Sequence, residues 1–508
     1  MPLPDLIEIV PLTQPVQAQI TVPGSKSITN RALILAALAD GTTVLKGALW
    51  SEDTEVMTKA LLTLGFDIKV ENDPDEFCNR TITVKGLGGK IPKAGTTDKP
   101  LELFVGNAGT AARFLAAMVC LGDGVYRLHG VPRMHERPQS ALFKALRELG
   151  YKVVSENGND KLPIRISGHT SISRRSASLL VPKFQDDLTL SSPSGGSSSC
   201  TVSIAESSQF ASALLLSATV GGWQVKITGE NAEESPYVAM TSKLIEAFPK
   251  KGGTFQIEPD ASSGSYFLTS STLAPPSPEF KEYSDLLKME VSTTVHSRVE
   301  VTNWPNSQWQ IDEKFTEFMM HGRRMHQMHE LFIQLKARTS KNPVADITEM
   351  QQLTEEALKS LNSNISRQHD LGDSIMTAIV LTPLLDDTIH FTDLGRLRVQ
   401  ETERVVALRT ELTKCGAKVV EEGDTLTVFP SALHGAEIET YSDHRMAMCF
   451  AILGLKVPGI KIKNPACVKK TFPNFFQKLA APPPQGLGAV IRDGRTGRDL
   501  KVEELFAG

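Results

Sequence analysis

Several apolar runs open on lysine or arginine, where a solvated charge has little reason to sit. Lys26 and Ser27 lie in PGSKS, with Arg31 one turn further on. Backbone amides, a hydroxyl and two cations at one helix start suit a phosphate or a carboxylate. The GxxxxGK spacing of a Walker loop is missing, so this is not a nucleotide P-loop. Asn107, Gly109 and Thr110 form a second loop of small residues, and Ser207, Ser208 and Gln209 a third. The glycine of the second also serves as plain turn punctuation, the third also reads as ordinary helix capping, and any one such loop is more often a cap than a ligand. Further cations are Arg137 in RMHERPQ, Arg404 in QETER, Arg445 in SDHR and Lys470 in KKTFP. Taken singly, each reads as a surface ion-pair partner. With Lys26 and Arg31 they would make an electropositive cleft inside a mildly acidic protein. Two carboxylates accompany them. Asp373 opens an apolar run and could also be an N-cap; Glu401 stands three residues before Arg404. A carboxylate tuned by such surroundings can move protons. His321, His326 and His329 do not share one helical face, so HGRRMHQMHE reads as a solvated helix and no metal is expected.

The elements that must position these groups recur. A short polar loop leads at once into a run that is apolar nearly all round: PGSKSITNRALILAALA from Pro23, GNAGTAARFLAAMVCL from Gly106 and ESSQFASALLLSATV from Glu206. The pattern returns as PDASSGSYFLTSSTLA from Pro259, LGDSIMTAIVLTPLL from Leu371 and SDHRMAMCFAILGL from Ser442. A helix apolar on every side is a buried helix, and its polar opening offers free amides to an anion. Six such openings suggest six copies of one supersecondary unit. A second pattern agrees: LLTLGFDIKV from Leu61, LRELGYKVV from Leu146 and LTKCGAKVVEEGDTLTV from Leu412 each read as a helix end, a glycine stop and a strand. Helices alternating with strands predict α/β architecture.

A chain of 508 residues is too long for one hydrophobic core, so two large domains are expected. Composition is that of a globular protein, with 41% hydrophobic and 22% charged residues. A net charge of -4 provides no global basic field, which argues against nucleic acid or an anionic membrane as partner. No two of the six cysteines stand at CxxC spacing; Cys120 and Cys449 read as small core residues, and reduced thiols in a cytoplasmic enzyme fit best. The start MPLPDLIEIV lacks a basic region followed by an apolar stretch, so no signal peptide is expected. No apolar run is long enough to span a bilayer. Domain crossings are expected near Pro23 and Pro259. Segments 171–200 and 268–300, rich in Ser, Thr and Pro, read as surface loops or strand edges. Segment 313–366 is polar and helix-prone, without a periodicity that places it.

The strings PGSKSITNRA, GNAGTAAR, RMHERP, SSQFASALL, DASSGSYF, GDSIMTA, RVQETER, SDHRMAMCF and KKTFP, in this order, closely resemble the 5-enolpyruvylshikimate-3-phosphate synthase family. That resemblance implies an inside-out α/β barrel, the enolpyruvyl transferase fold: two domains of three βαβαββ units each, helices inside and sheets outside. It implies an N-terminal domain over 23–258 and a second domain built from 1–22 and 259–508, with the active site in a cleft that closes on substrate. The implied reaction moves the enolpyruvyl group of phosphoenolpyruvate to shikimate 3-phosphate, in chorismate and aromatic amino acid biosynthesis, with no cofactor and in a monomer. By motif, Lys26, Ser27, Arg31, Ser207, Ser208 and Gln209 resemble shikimate 3-phosphate contacts. Lys26, Asn107, Arg137, Gln209, Arg404, Arg445 and Lys470 resemble phosphoenolpyruvate contacts. Asp373, also a shikimate-side contact, resembles the group that takes the proton of the attacking hydroxyl, and Glu401 the acid that protonates the methylene carbon.

There are departures from the family pattern. Gln400 stands where the family usually has Lys, and Arg396 where it has Asn. Glu234-Ser235-Pro236-Tyr237 replaces Ser-Lys-Pro-Tyr, which bears on Ser235 as a ligand just as Gln400 bears on the phosphate side. Between Thr269 and Asp370 only NSQWQID, Asn306 to Asp312, matches a family motif. Two alternatives follow. A UDP-N-acetylglucosamine enolpyruvyl transferase would carry a Cys in the loop before its Arg-Pro, but Arg133 to Arg137 reads RMHER. A non-catalytic ligand-binding paralogue would not need to keep Asp373, Glu401 and the donor cations.

Overall fold

The computed structural model describes residues 3–168, 198–229, 235–273, 297–316, 364–385 and 387–507. The six apolar runs are helices: Lys26–Leu38, Gly109–Met118, Ser208–Gly221, Ala261–Leu273, Ile375–Leu381 and His444–Gly454. In Gly109–Met118 every residue is buried, including the polar Thr110 and Arg113. Burying a Leu or Phe side chain contributes roughly 1.5–3 kcal/mol over leaving it exposed, which is why sequences apolar on all sides pack inward. Lys26–Leu38, Gly109–Met118 and Ser208–Gly221 pack on one another, and His444–Gly454 packs on Ala261–Leu273 and Ile375–Leu381.

Around these helices stand the sheets, and four of them share one plan. A parallel pair is extended by an antiparallel hairpin, in strand order 253–256, 42–49, 79–85, 67–72 and again 101–104, 125–129, 164–167, 152–155. The order 364–366, 389–392, 425–428, 419–422 repeats it. The order 437–438, 460–463, 6–9, 491–493 has the same parallel and antiparallel pairings, with Leu6–Ile9 and 491–493, far apart in the chain, in the place of the hairpin. Two further sheets are parallel pairs among the described residues: 198–203 with 223–228, and 298–301 with 17–20. The glycine stops read from the sequence lie between helix and strand, and all three hold nearly the same backbone angle, φ 92° at Gly65, 93° at Gly150 and 91° at Gly416.

Buried apolar residues form two clusters, one from Ile28 to Ile257, the other from Leu3 to Val22 and Tyr266 to Ala507. The chain passes between them at Pro23–Ser25 and Glu258–Asp260, and the two passages lie side by side. Ser25 donates its N–H to the Glu258 carbonyl at 2.8 Å, and Asp260 to the Pro23 carbonyl at 2.9 Å. A β-carbon on Gly24 would come within 2.0 Å of the Gly47 carbonyl oxygen, so only glycine allows the approach.

One expectation needs correction. Residues 268–273 belong to the buried Ala261–Leu273 helix, not to a surface loop. Two of their hydroxyls bond back within the helix: Thr269 Oγ1 donates to the Tyr266 carbonyl at 2.8 Å and Ser270 Oγ to the Phe267 carbonyl at 2.6 Å. At 198–200 and 298–300 the chain is strand. Most of 171–200 and of 313–366, His321, His326, His329 and the side chain of Ser235 lie outside the described residues. All six cysteines are free thiols. Among the described residues no helix is long and apolar enough to cross a membrane.

Candidate active site

All six buried helices open toward one cleft. Its lining takes Lys26 and Ser27, Thr110, Ser208 and Gln209, Ser262 and Ser263, Asp373, and His444 and Arg445 from the six openings in turn. Arg31, Arg137, Ser207, Arg367, Arg396, Gln400, Glu401 and Arg404 complete the polar wall. Lining cations Lys26, Arg31, Arg137, Arg367, Arg396, Arg404 and Arg445 outnumber lining carboxylates Asp260, Asp312, Asp373 and Glu401. The cleft is thus positive in a chain whose net charge is negative.

Glu401 sits between two cations, with Lys470 Nζ 2.9 Å from Oε1 and Arg404 Nη2 2.9 Å from Oε2. Burial pushes its carboxyl up, but Lys470 and Arg404 outweigh that and hold it well below the usual carboxylate range. Arg404 opens the Arg404–Lys414 helix and is fully buried. Asp443 accepts from one edge of its guanidinium, Nε at 2.7 Å and Nη2 at 3.1 Å, and Gln400 accepts from Nη1. Asp443 also caps the His444–Gly454 helix by accepting the Arg445 N–H at 2.9 Å. One carboxylate therefore fixes a helix start and the arginine beside it; breaking a buried pair of this kind costs about 3–5 kcal/mol. His444 follows directly. Burial depresses its imidazole well below the usual range, which leaves it neutral, and neither ring nitrogen has a hydrogen-bond partner.

Asp373 occupies the turn before Ile375–Leu381. The capping alternative does not hold: Ser374 is the residue before that helix, and the Asp373 carboxylate faces arginines. Arg367 Nη2 donates to Oδ1 at 2.9 Å, and Arg445 Nη2 lies 3.2 Å from Oδ2. Burial again pushes up, while Arg445 and Arg367 bring the carboxyl below the ordinary range. Arg445 is itself held by Ser262 Oγ at 3.0 Å.

On the opposite wall Lys26 Nζ is 3.3 Å from Asp53 Oδ2. Arg31 is fixed by Thr241 Oγ1 at 2.7 Å and Ser212 Oγ at 3.1 Å. Gln209 accepts from Arg113 at 2.6 Å and donates to Thr110 Oγ1 at 3.2 Å, while Ser207 Oγ caps its helix by accepting the Gln209 N–H. Arg396 crosses the cleft, donating to the Glu206 carbonyl and, at 3.4 Å, to Ser207 Oγ. A guanidinium thus stands on the side where Gln400, turned to Arg404, carries no charge.

Of the described side chains assigned to substrate or proton transfer, Lys470 and Asn107 do not line the cleft. Lys470 reaches it only through Glu401. Asn107 accepts from Arg137 Nη1 through its carbonyl at 3.1 Å, and its side-chain oxygen is buried without a partner. Sequence reading passed over His444, though it stands inside the quoted SDHR, and Asp312, inside NSQWQID. Arg367 had no signal, because its stretch matched no motif.

The EPSP synthase (3-phosphoshikimate 1-carboxyvinyltransferase) family model matches residues 10–183 and 291–479. A 3-phosphoshikimate 1-carboxyvinyltransferase of Opitutus terrae is 35% identical over 494 residues, covering 94% of this chain and 98% of the relative. A chloroplastic one of Solanum lycopersicum is 32% identical, covering 91% of this chain and 82% of the relative. Among solved structures, EPSP synthase from Acinetobacter baumannii is similar with TM-score 0.59 at 18% identity, over 96% of this chain and 99% of that one. The enolpyruvyl transferase NikO from Streptomyces tendae is similar with TM-score 0.55 at 13% identity, over 96% and 98%. At such identities the structures speak for the fold alone, but the sequence matches run nearly end to end, and the chain belongs to the EPSP synthase (3-phosphoshikimate 1-carboxyvinyltransferase) family.

Proposed function

We infer that the chain transfers the enolpyruvyl group of phosphoenolpyruvate to the 5-hydroxyl of shikimate 3-phosphate, releasing phosphate. The observation that carries this reading, beside family membership, is the meeting of Asp373, Glu401 and Arg404 with Lys26 and Arg31 on one cleft. Lys26, Ser27, Arg31, Ser207, Ser208 and Gln209 would hold the acceptor, with Ser235 and Gln400 at its margin. Lys26, Asn107, Arg137, Gln209, Arg404, Arg445 and Lys470 would serve the donor. Two anions side by side repel, and these cations offset that repulsion.

In the proposed reaction Glu401 gives a proton to the methylene carbon of the donor, leaving an oxocarbenium-like centre at the neighbouring carbon. The 5-hydroxyl attacks that centre and Asp373 takes its proton. The tetrahedral intermediate then loses phosphate and a methyl proton, which regenerates the carbon–carbon double bond as the enol ether. The domain division 23–258 against 1–22 with 259–508 is supported by the two apolar clusters and by the pairing of Leu6–Ile9 and Gln17–Ile20 with strands beyond residue 259. Phosphate release measured with both substrates tests the reading. Release with phosphoenolpyruvate and shikimate 3-phosphate is expected; release only with UDP-N-acetylglucosamine as acceptor, or none at all, would count against it.

A further inference from the structure

Asp312 has no part in the reaction above, yet it is buried and lines the cleft. It comes from the short turn Ile311–Lys314. Its Oδ1 accepts the backbone N–H of Ser374 at 2.6 Å. Its Oδ2 lies against Gly372, where a β-carbon would come within 2.8 Å of it and within 2.5 Å of Ile311 Cγ2. Gly372 also has φ 54°, which disfavours other residues. These two contacts fall on the residues immediately before and after Asp373, so a single carboxyl grips the turn from both sides.

We propose that Asp312 is a positioning residue: by holding Gly372 and Ser374 it sets the direction from which the Asp373 carboxylate meets the acceptor hydroxyl. The proposal rests on the enolpyruvyl-transfer reading. The charged and titratable groups facing Asp312 are Asp373, Arg445, Asp260 and the Tyr237 hydroxyl. Burial first, and then the charge of Asp373, pushes its carboxyl up to about 7, against Arg445 and the Ser374 amide. Below that pH the brace is a neutral acid, and Asp373 is the only anion of the two. Above it a second charge is forced beside Asp373. Because the folded-state value is raised, the stability Asp312 contributes is complete below the unfolded value of about 4. It is lost as pH rises through about 7.

Asparagine copies the shape of the neutral acid, and its amide oxygen still accepts the Ser374 N–H. In the full-length chain, Asp312→Asn should keep kcat within about threefold of native near pH 6 and hold it level to about pH 8.5, where native kcat falls. Asp312→Ala removes the acceptor and should lower kcat by about tenfold or more at unchanged KM for both substrates. A measurement independent of turnover is thermal unfolding: the Tm of Asp312→Asn should gain on native from about pH 4 to 7 and then run parallel. Native kcat in Asp312→Ala, or a Tm gap that does not move with pH, overturns the proposal. If the native chain has no turnover with the two substrates, the reaction reading fails instead, and the Tm gap alone decides whether Asp312 is the raised carboxyl that grips the turn.

Discussion

In the proposed reaction Glu401 must carry a proton to give to the donor, yet Lys470 and Arg404 hold its carboxyl well below the usual range. The donor itself resolves this. A phosphate and a carboxylate brought against Arg404 and Lys470 offset their charge, and the Glu401 pKa must rise as the donor binds. Binding of a donor analogue near neutral pH should therefore take up protons, seen in calorimetry as a heat that changes with the ionisation enthalpy of the buffer. Glu401→Gln should abolish that dependence, retain the affinity and lower turnover by roughly two orders of magnitude or more. A buffer-independent heat in the native chain would show that Glu401 is not the group tuned by the donor. Residues of this kind were legible because charge at the mouth of an apolar helix is anomalous in one dimension. Their partners were not. That Asp443 grips Arg404 and that Arg367 and Arg445 share Asp373 are facts of tertiary approach, written in no local spacing.

Helices apolar on every side and glycines before strands were equally open to reading, since burial and backbone handedness act locally. Gly65, Gly150 and Gly416 occupy equivalent corners at φ 91–93°. Gly150 would meet nothing with an added β-carbon, whereas Gly65 would meet Lys93 and Pro92 within 3.0 Å. Gly150→Ala therefore isolates the backbone cost and should destabilise by about 1–2 kcal/mol; Gly65→Ala should cost more. Equal losses in chemical denaturation would mean that Lys93 and Pro92 yield freely. Composition misled at 268–273 for a chemical reason: serine and threonine usually mark loops, but the Thr269 and Ser270 hydroxyls bond back to carbonyls of their own helix, which makes them fit for a buried site.

At the scale of the molecule, the groups proposed to hold donor and acceptor come from both chain halves: Lys26 and Arg137 from one, Arg404, Arg445 and Lys470 from the other. Neither set alone can enclose the donor, so acceptor binding should favour the arrangement that completes the donor site. The coupling is then an equilibrium shift of about 1–3 kcal/mol and reciprocal. Calorimetry on Glu401→Gln, with turnover blocked, should give tighter donor-analogue binding when shikimate 3-phosphate is present; equal affinities would mean independent sites. The side-by-side passages at Pro23–Ser25 and Glu258–Asp260 have a consequence in time as well as in space. Leu6–Ile9 is made long before its partners Ile460–Lys463 and Ile491–Asp493. At about 5–20 residues per second the first strand waits on the order of half a minute to two minutes for its sheet. The segment from Ile28 to Ile257, whose apolar cluster takes the half-buried Trp309 from later in the chain but is otherwise drawn from its own span, can pack meanwhile. Synthesis thus sets an order of assembly: the Ile28–Ile257 segment can fold first, and Leu6–Ile9 finds its place only after the strands made long after it.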